Sequence, residues 1–555
     1  MNALVNSPLV DSPLANSLLF AHLPVLPVLL PLFTAVVLLI MGDGGGQASH
    51  GSRQLRRARI ISMVSILVGA LLAWQLMINA ASGTLAVYRL GGWPAPFGIA
   101  LVVDRLSALM LALTWTIALP VVWYAAGGWD AHGRYFHVMV QFLLMGLSGA
   151  FVTGDLFNLF VFFEVLLISS YVLLLHGQGQ RRFRFGLHYV VLNLVASALF
   201  LIGTSVIYAV TGTLNMADLA LRVGQLALPE ATLLKAGVLV LLVVFGLKAA
   251  IVPLYMWLPG AYAAASAPVA ALFAIMTKVG VYSIIRVHGV IFGDAAGHAS
   301  LAAAPWLLPV ALTTAVLGVL GALAATSLAR MVGYLNIASV GIVLTAVGEF
   351  SPGALSAAIY YAVHSTLAIA ALFLLVEMLA AQRGDVADRL VPAGPVGQPV
   401  MLGLMTLLAA ASVTGLPPLP GFLGKVMILQ SVPPGPTQIW IWTTVLLVGF
   451  LTLIGLARAG VILFWNTLPG HSPSTASGVS WQLTSATISL LGASLVLAAA
   501  ASPLKRYADA AALQLSDRNA YARAVLGPGA LTTPTMRPYR AGDGEIILPQ
   551  PKGAP

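Results

Sequence analysis

Apolar runs about twenty residues long recur along almost the whole chain, and that recurrence limits it to one kind of fold. A helix needs about 20 apolar residues to cross a bilayer core roughly 30 Å thick. Runs of this kind occupy residues 23–41, 59–79, 105–127, 134–152, 156–176, 187–213, 233–258 and 267–292. The second half continues with 305–326, 330–349, 352–382, 400–430, 437–465 and 480–502. The expected fold is therefore all-α and membrane-integral, with about fourteen transmembrane helices. Charged residues make up 8% of the chain, where soluble domains carry about 25%. A transmembrane β-barrel would instead need short alternating segments, and the runs do not alternate.

The formal charge is +10, carried by 27 Lys and Arg against 17 Asp and Glu. These basic residues are scattered through loops and the tail, without the aromatic-interleaved stripe of a nucleic-acid binder. Basic connections instead report orientation, because cytoplasmic loops collect Lys and Arg. Arg53, Arg56, Arg57 and Arg59 precede the second span, Arg181, Arg182 and Arg184 the sixth, and Arg383 and Arg389 the twelfth. All three loops fall on one side, which the rule makes cytoplasmic, and an even span count then puts both termini outside. Residues 1–22 carry no Lys or Arg, so the first run reads as a retained helix rather than a signal peptide. There are no cysteines, which excludes disulfides, thiolate metal sites and cysteine nucleophiles.

Two segments are not simple spans. Residues 84–103 alternate and contain Gly91, Gly92, Pro94 and Pro96, the pattern of a short extramembrane hairpin. Residues 503–555 are polar, so the chain divides into a membrane domain, 1–502, and a C-terminal tail with one short helix around Asp509 to Val525. Two spans are interrupted by proline. The seventh holds Pro253 and Pro259, and the twelfth holds Pro417, Pro418 and Pro420. An interior proline removes a backbone hydrogen bond and collides with the carbonyl four residues earlier. At membrane depth such breaks survive only where protein or a water-filled cavity serves the freed groups. Paired broken helices in the two halves of a transporter point to its binding site and fit two five-helix repeats.

An ionisable residue at mid-membrane costs about 2.5–3.5 kcal/mol even on the lenient insertion scale. Glu164, Lys248, Lys278, His364 and Lys425 all fall inside expected spans, and such residues mark ion pathways. Each has a plainer reading. Glu164 and Lys278 could be halves of structural ion pairs, Lys248 could snorkel to the interface, and His364 could be a satisfied hydrogen-bonding group. Lys425 follows the second break by a turn, where the positive end of a half-helix disfavours an ammonium. Asp104 and Arg105 adjoin at a span end and read as an entry surface, whereas Asp155 and Glu377, also near span ends, read as solvated or anchoring groups. The string GFLGK is no phosphate loop, since the first glycine is missing and Val426 stands where Ser or Thr is needed. With no metal-ligand cluster, dinucleotide fingerprint or catalytic constellation, no cofactor is called for and no enzyme chemistry is expected.

Several strings together resemble the D-type subunit of the Mrp-type (Pha or Mnh) cation/proton antiporters. They are LPVLPVLLPL, YRLGGWPAPFGIALVVDRLSALML, TGDLFNLFVFFEVLLISSYVLLL, KAAIVPLYMWLPGAYAAASAPVAALFAIMTKVGVY, GLPPLPGFLGKVMIL and the tail string SDRNAYARAVLG. The resemblance covers nearly the whole chain. It implies the fold of the antiporter-like subunits of NADH–quinone oxidoreductase, with two inverted five-helix repeats. It also implies that Glu164 pairs with Lys248, that Lys278 and Lys425 continue a polar line, and that His364 belongs to it. The chain departs from the family at Ala368 and Ile369, where a lysine often follows the histidine, and at Gly260 and Ala329, where acidic and basic residues are common.

The function these readings imply is a subunit of a multi-subunit Na+(K+)/H+ antiporter in a bacterial inner membrane. It would pass protons along a Glu/Lys/His relay, with the other antiporter subunits, protons, monovalent cations and lipid as partners. The alternatives are a proton-translocating subunit of NADH–quinone oxidoreductase or a membrane hydrogenase, and a purely structural scaffold.

Overall fold

The computed structural model describes residues 21–42, 53–468 and 479–531. Both chain ends, and hence the tail beyond Leu531, lie outside the described residues.

The apolar runs become helices. The first six are α1 (Leu26–Met41), α2 (Arg53–Ala81), α3 (Arg105–Ala125), α4 (Phe136–Val152), α5 (Leu156–Leu175) and α6 (Gln180–Thr211). A short α7 (Met216–Arg222) leads to the first broken span, made of α8 (Leu228–Ala249) and α9 (Trp257–Ala264). Next come α10 (Ala267–Ile284), α11 (Ala304–Ala324), α12 (Leu328–Val347) and α13 (Pro352–Ala381). The second broken span is α14 (Pro399–Thr414) with α15 (Pro420–Ser431), followed by α16 (Pro436–Gly460) and α17 (Trp481–Ala499). Among the described residues, eleven segments are long and apolar enough to cross a membrane, and α1, α4 and α14 are shorter apolar helices.

Polar residues start several helices. Asp104 accepts the Ser107 N–H at the head of α3, Asp155 the Asn158 N–H at α5, and Ser351 the Ala354 N–H at α13, each serving an amide with no partner inside its helix. Asp104 is therefore no entry surface. It is 2% exposed, because capping α3 and pairing with Arg286 hold it inside.

The hairpin forms as expected, with β1 (Ala86–Arg89) antiparallel to β2 (Ala100–Val103) and Ala86 opposite Val103. The start of the tail differs from the single helix expected. Two helices, α18 (Ala501–Ser516) and α19 (Arg518–Leu526), follow α17, and the expected boundary at 502/503 falls inside the first. Leu504, Ala508, Ala511, Ala512 and Leu515 give α18 an apolar stripe at helical spacing, which packs on α13 and α3. Gln514 accepts the Arg105 N–H and donates to the Gly83 carbonyl, while Tyr507 donates to the Arg105 carbonyl. A composition count misses this, because a polar helix with one apolar stripe reads as tail.

The centre of the molecule is α10, α12 and α13. The whole apolar stretch of α10 is buried, against about a third of those of α6 and α16. The α10 helix packs on α8, α12 and α13, and α13 in turn on α15. Those contacts bring both broken spans to the same core.

Candidate mid-membrane polar line

The two breaks are served by protein groups, as their depth requires. In the first, Ala250 takes a left-handed φ of 58° and the chain turns through Pro253 into α9. The Trp257 indole donates to the Leu247 carbonyl at 3.2 Å, and Val252 N–H donates to Thr314 Oγ1 of α11 at 3.0 Å. Pro259 breaks nothing. It is the third residue of α9, within the first turn, where amides lack helical partners anyway.

In the second break, α14 ends at Thr414 and α15 begins at Pro420 after Pro417 and Pro418. The ammonium of Lys425 donates to the carbonyls of Thr414 at 2.6 Å and Val413 at 3.5 Å. The side chain does not stay at the head of α15 but reaches back to the last carbonyls of α14, which have no helical partner.

The remaining charges are held by neutral groups. Lys248 Nζ donates to Asn193 Oδ1 at 3.2 Å and lies over the Phe163 ring, 5.6 Å from its centroid. Glu164 accepts from the Ser197 hydroxyl. Asn193 and Ser197 sit one turn apart on α6, so a single helix holds both Glu164 of α5 and Lys248 of α8. The carboxylate and ammonium do not meet within 4.0 Å, though the field of Glu164 reaches Lys248. Lys278 Nζ donates to Asn336 Oδ1 at 3.0 Å and Ser339 Oγ at 3.4 Å, both on α12.

His364 of α13 hydrogen-bonds the Ser412 carbonyl of α14 and lies in the fields of both Lys278 and Lys425. Its Nδ1 has no partner among the described residues. A Cβ at Gly421 would come within 2.0 Å of the Ser412 oxygen and 2.8 Å of the His364 ring nitrogen, so glycine is needed there for α15 to close on this junction.

Sequence reading missed the holders. Asn193, Ser197, Asn336 and Ser339 all lie in apolar spans, and their signal is an Asn followed by Ser about one turn later, as NLVAS and NIAS. Arg286, 3% exposed near the end of the eighth span, was missed as well. It pairs with Asp104 at 2.5 Å and donates to the Tyr282 hydroxyl at 2.9 Å. At the opposite end of α3, Asp130 takes two bonds from Arg59, at 2.6 and 2.7 Å, and one from His137 at 3.0 Å. Burial pushes the Asp130 carboxyl up, but these two partners hold it below the ordinary carboxylate value. Glu377, expected as a solvated or anchoring group, is buried and accepts from the Trp129 indole of the α3–α4 loop.

Three comparisons place this arrangement among known proteins. Residues 153–455 match the family model described as NADH:quinone oxidoreductase/Mrp antiporter, TM. The chain is 43% identical over 524 residues to a probable K(+)/H(+) antiporter protein of Rhizobium meliloti, a D-type subunit, covering 88% of this chain and 95% of that one. It is 37% identical over 508 residues to the D-type subunit of the Na(+)/H(+) antiporter of Bacillus subtilis, covering 90% and 99%. Its fold superposes on a chain of the Mrp complex from a Dietzia species with a TM-score of 0.81 at 27% identity, covering 92% and 100%. From its helices, its line of charges and these likenesses, the chain is a multi-pass membrane protein that belongs to the NADH:quinone oxidoreductase/Mrp antiporter family.

Proposed function

We propose that this chain is the D-type subunit of a multi-subunit Na+(K+)/H+ antiporter, and that it carries protons along Glu164, Lys248, Lys278, His364 and Lys425. One observation carries the reading. Among the described residues, Glu164 and the three lysines take neutral hydrogen-bond partners and no opposite charge within 4.0 Å. A lysine kept for structure would be locked to a carboxylate, because an unpaired buried charge is costly. One held by amide and carbonyl oxygens can lose its proton without stranding a partner's charge.

In the relay, a proton arriving near Lys248 shifts the balance between Lys248 and Glu164 through their shared helix. The change passes to Lys278, then through His364 to Lys425, which exchanges with the other side. Ala368 and Ile369 offer no polar group, so His364 alone bridges α10 and α15 on α13. Moving one charge through 100 mV involves about 2.3 kcal/mol, within reach of modest rearrangements. The basic loops support a cytoplasmic placement of the α2, α6 and α14 starts. Coupling to sodium or potassium rests with the assembled complex.

Everted vesicles with Lys248→Ala in the assembled complex are expected to lose cation-dependent proton movement while the subunit still copurifies with its partners. Unchanged antiport would remove the relay. The same copurification separates the respiratory alternative, in which redox subunits would accompany the chain.

A further inference from the structure

Lys248 and Lys278 belong to different helices, and the backbone that joins those helices is held at two places. Beside the lysines, α8 and α10 touch through glycine. A Cβ at Gly280, two residues past Lys278, would come within 2.6 Å of the amide nitrogen of Ala249, the neighbour of Lys248. At the head of α10, a two-residue turn of Ala265 and Ser266 joins it to α9. That turn is gripped from both sides by charges that the relay does not use. Arg182 of α6 donates to the Ala264 carbonyl, at the end of α9, at 3.0 Å. Glu377 of α13 accepts the N–H of Ala267, the first residue of α10.

A single indole joins the two charges. Trp129 donates its ring N–H to Glu377, while the Arg182 guanidinium lies over its ring, 5.2 Å from the centroid. The Trp129 carbonyl is bonded by Nε2 of His176 at 2.9 Å, and the next residue, Asp130, is fixed by Arg59 and His137. The loop is thereby tied to the ends of α2, α4, α5, α6 and α13. Glu377 also supplies what the local sequence does not. Ser266 stands at the N-cap of α10, yet its hydroxyl makes no cap bond and has no partner among the described residues. A carboxylate from another helix takes that place, and the positive end of α10 favours its charge.

We infer that Trp129, held between Arg182 and Glu377, is a latch on the α9–α10 turn that sets the height of Lys278 against Lys248. Glu377 is a positioning residue: it holds the head of α10 and carries no proton itself. The spacing matters because a displacement of about 1 Å can cost a reacting pair about 10²-fold in rate. With the head of α10 pinned, the glycine contact at Gly280 keeps its register on α8, and the two lysines keep theirs. The latch rests on the proposed relay for what that spacing serves, whereas the grip on the turn stands without it.

Glu377→Leu, Glu377→Gln and Trp129→Phe, placed singly in the full complex, test the latch. Antiport in everted vesicles is expressed per assembled complex, with maximal rate and apparent KM for the cation read separately, so that poorer assembly alone does not register. Leu accepts neither the indole nor the Ala267 amide, and Phe offers no ring N–H. Both variants are expected to lower the maximal rate by about tenfold or more with apparent KM unchanged. Glu377→Gln keeps an acceptor oxygen and is expected to stay within about threefold of the parent. Amide hydrogen exchange at Ala267 is expected to quicken in Glu377→Leu and to stay as it was in Glu377→Gln. Full antiport in Glu377→Leu, or unaltered exchange at Ala267 in that variant, would overturn the latch. So would a loss in Glu377→Gln as deep as in Glu377→Leu, since the carboxylate would then act by its charge. If Glu377→Leu does not assemble, Trp129→Phe decides by the same rate. Lys278→Ala is assayed in parallel. Antiport surviving that change sinks the relay, whereas exchange at Ala267, which needs no transport, judges the latch separately.

Discussion

The charges at the ends of the helices and those at their middle are held in opposite ways. Near the ends, Arg286 grips Asp104 at 2.5 Å, and Arg59 grips Asp130 with two bonds. In the middle, Lys248, Lys278 and Lys425 face an amide oxygen, an amide with a hydroxyl, and backbone carbonyls. A cation locked to a carboxylate keeps its proton and its place. A cation facing neutral oxygens keeps its place by weaker bonds and can part with its proton. The ends thus fix the bundle, and in the proposed relay it is the middle that changes charge.

Breaking an end pair should produce the largest effect on the folded state. Asp104→Ala leaves Arg286 buried without its counter-charge, which costs about 3–5 kcal/mol, and removes the cap of α3 as well. The variant is expected to lose most of its thermal stability in detergent, measured by the midpoint of aggregation on size exclusion. Combining Asp104→Leu with Arg286→Met should restore much of it, because no unpaired charge then remains. If the double variant is no better than the single one, the pair does more than hold helices.

A holder in the middle should matter less to folding and more to transport. Asn336→Leu removes a hydrogen bond to a charged group, a contribution of about 1.5–3 kcal/mol. If Lys278 works as proposed, antiport in everted vesicles should fall by roughly tenfold or more while the stability midpoint moves less than in Asp104→Ala. Equal losses in both would erase the distinction between ends and middle. The smallest effect belongs to a pair at the surface. Lys505 and Asp509 lie at 2.6 Å, one turn apart on α18, with side chains 49% and 40% exposed, so Lys505→Ala should change stability by no more than about 0.5 kcal/mol. A measurable loss of antiport there would mean that a surface charge on α18 matters to transport.

The spans, the hairpin and both breaks were legible in the sequence because each rests on local chemistry: apolar length, glycine–proline turns and proline inside an apolar run. The charged residues of the line were legible for the same reason, since a lysine inside a span stands out. Their partners were not, because an Asn in an apolar run says nothing about which helix it faces. The direction of Lys425 was lost similarly. Counting from the break puts it on α15, whereas its side chain serves α14. At Gly260 a Cβ would come within 2.4 Å of the Phe185 ring, so any side chain there would require that ring to move.

The grip of Lys425 on the end of α14 ties protonation to the shape of the backbone. As an ammonium it offers the Thr414 carbonyl a charge-assisted bond. As a neutral amine it offers an ordinary one, weaker by roughly 1 kcal/mol or more. In the proposed relay, each proton that left would slacken the clasp between the halves of a broken helix, and each that returned would tighten it. On that proposal the break is a hinge whose stiffness follows the charge of Lys425, and amide hydrogen exchange at Gly415, Leu416 and Leu419 should quicken in Lys425→Met. Equal exchange in the two proteins would leave the prolines alone in charge of the bend.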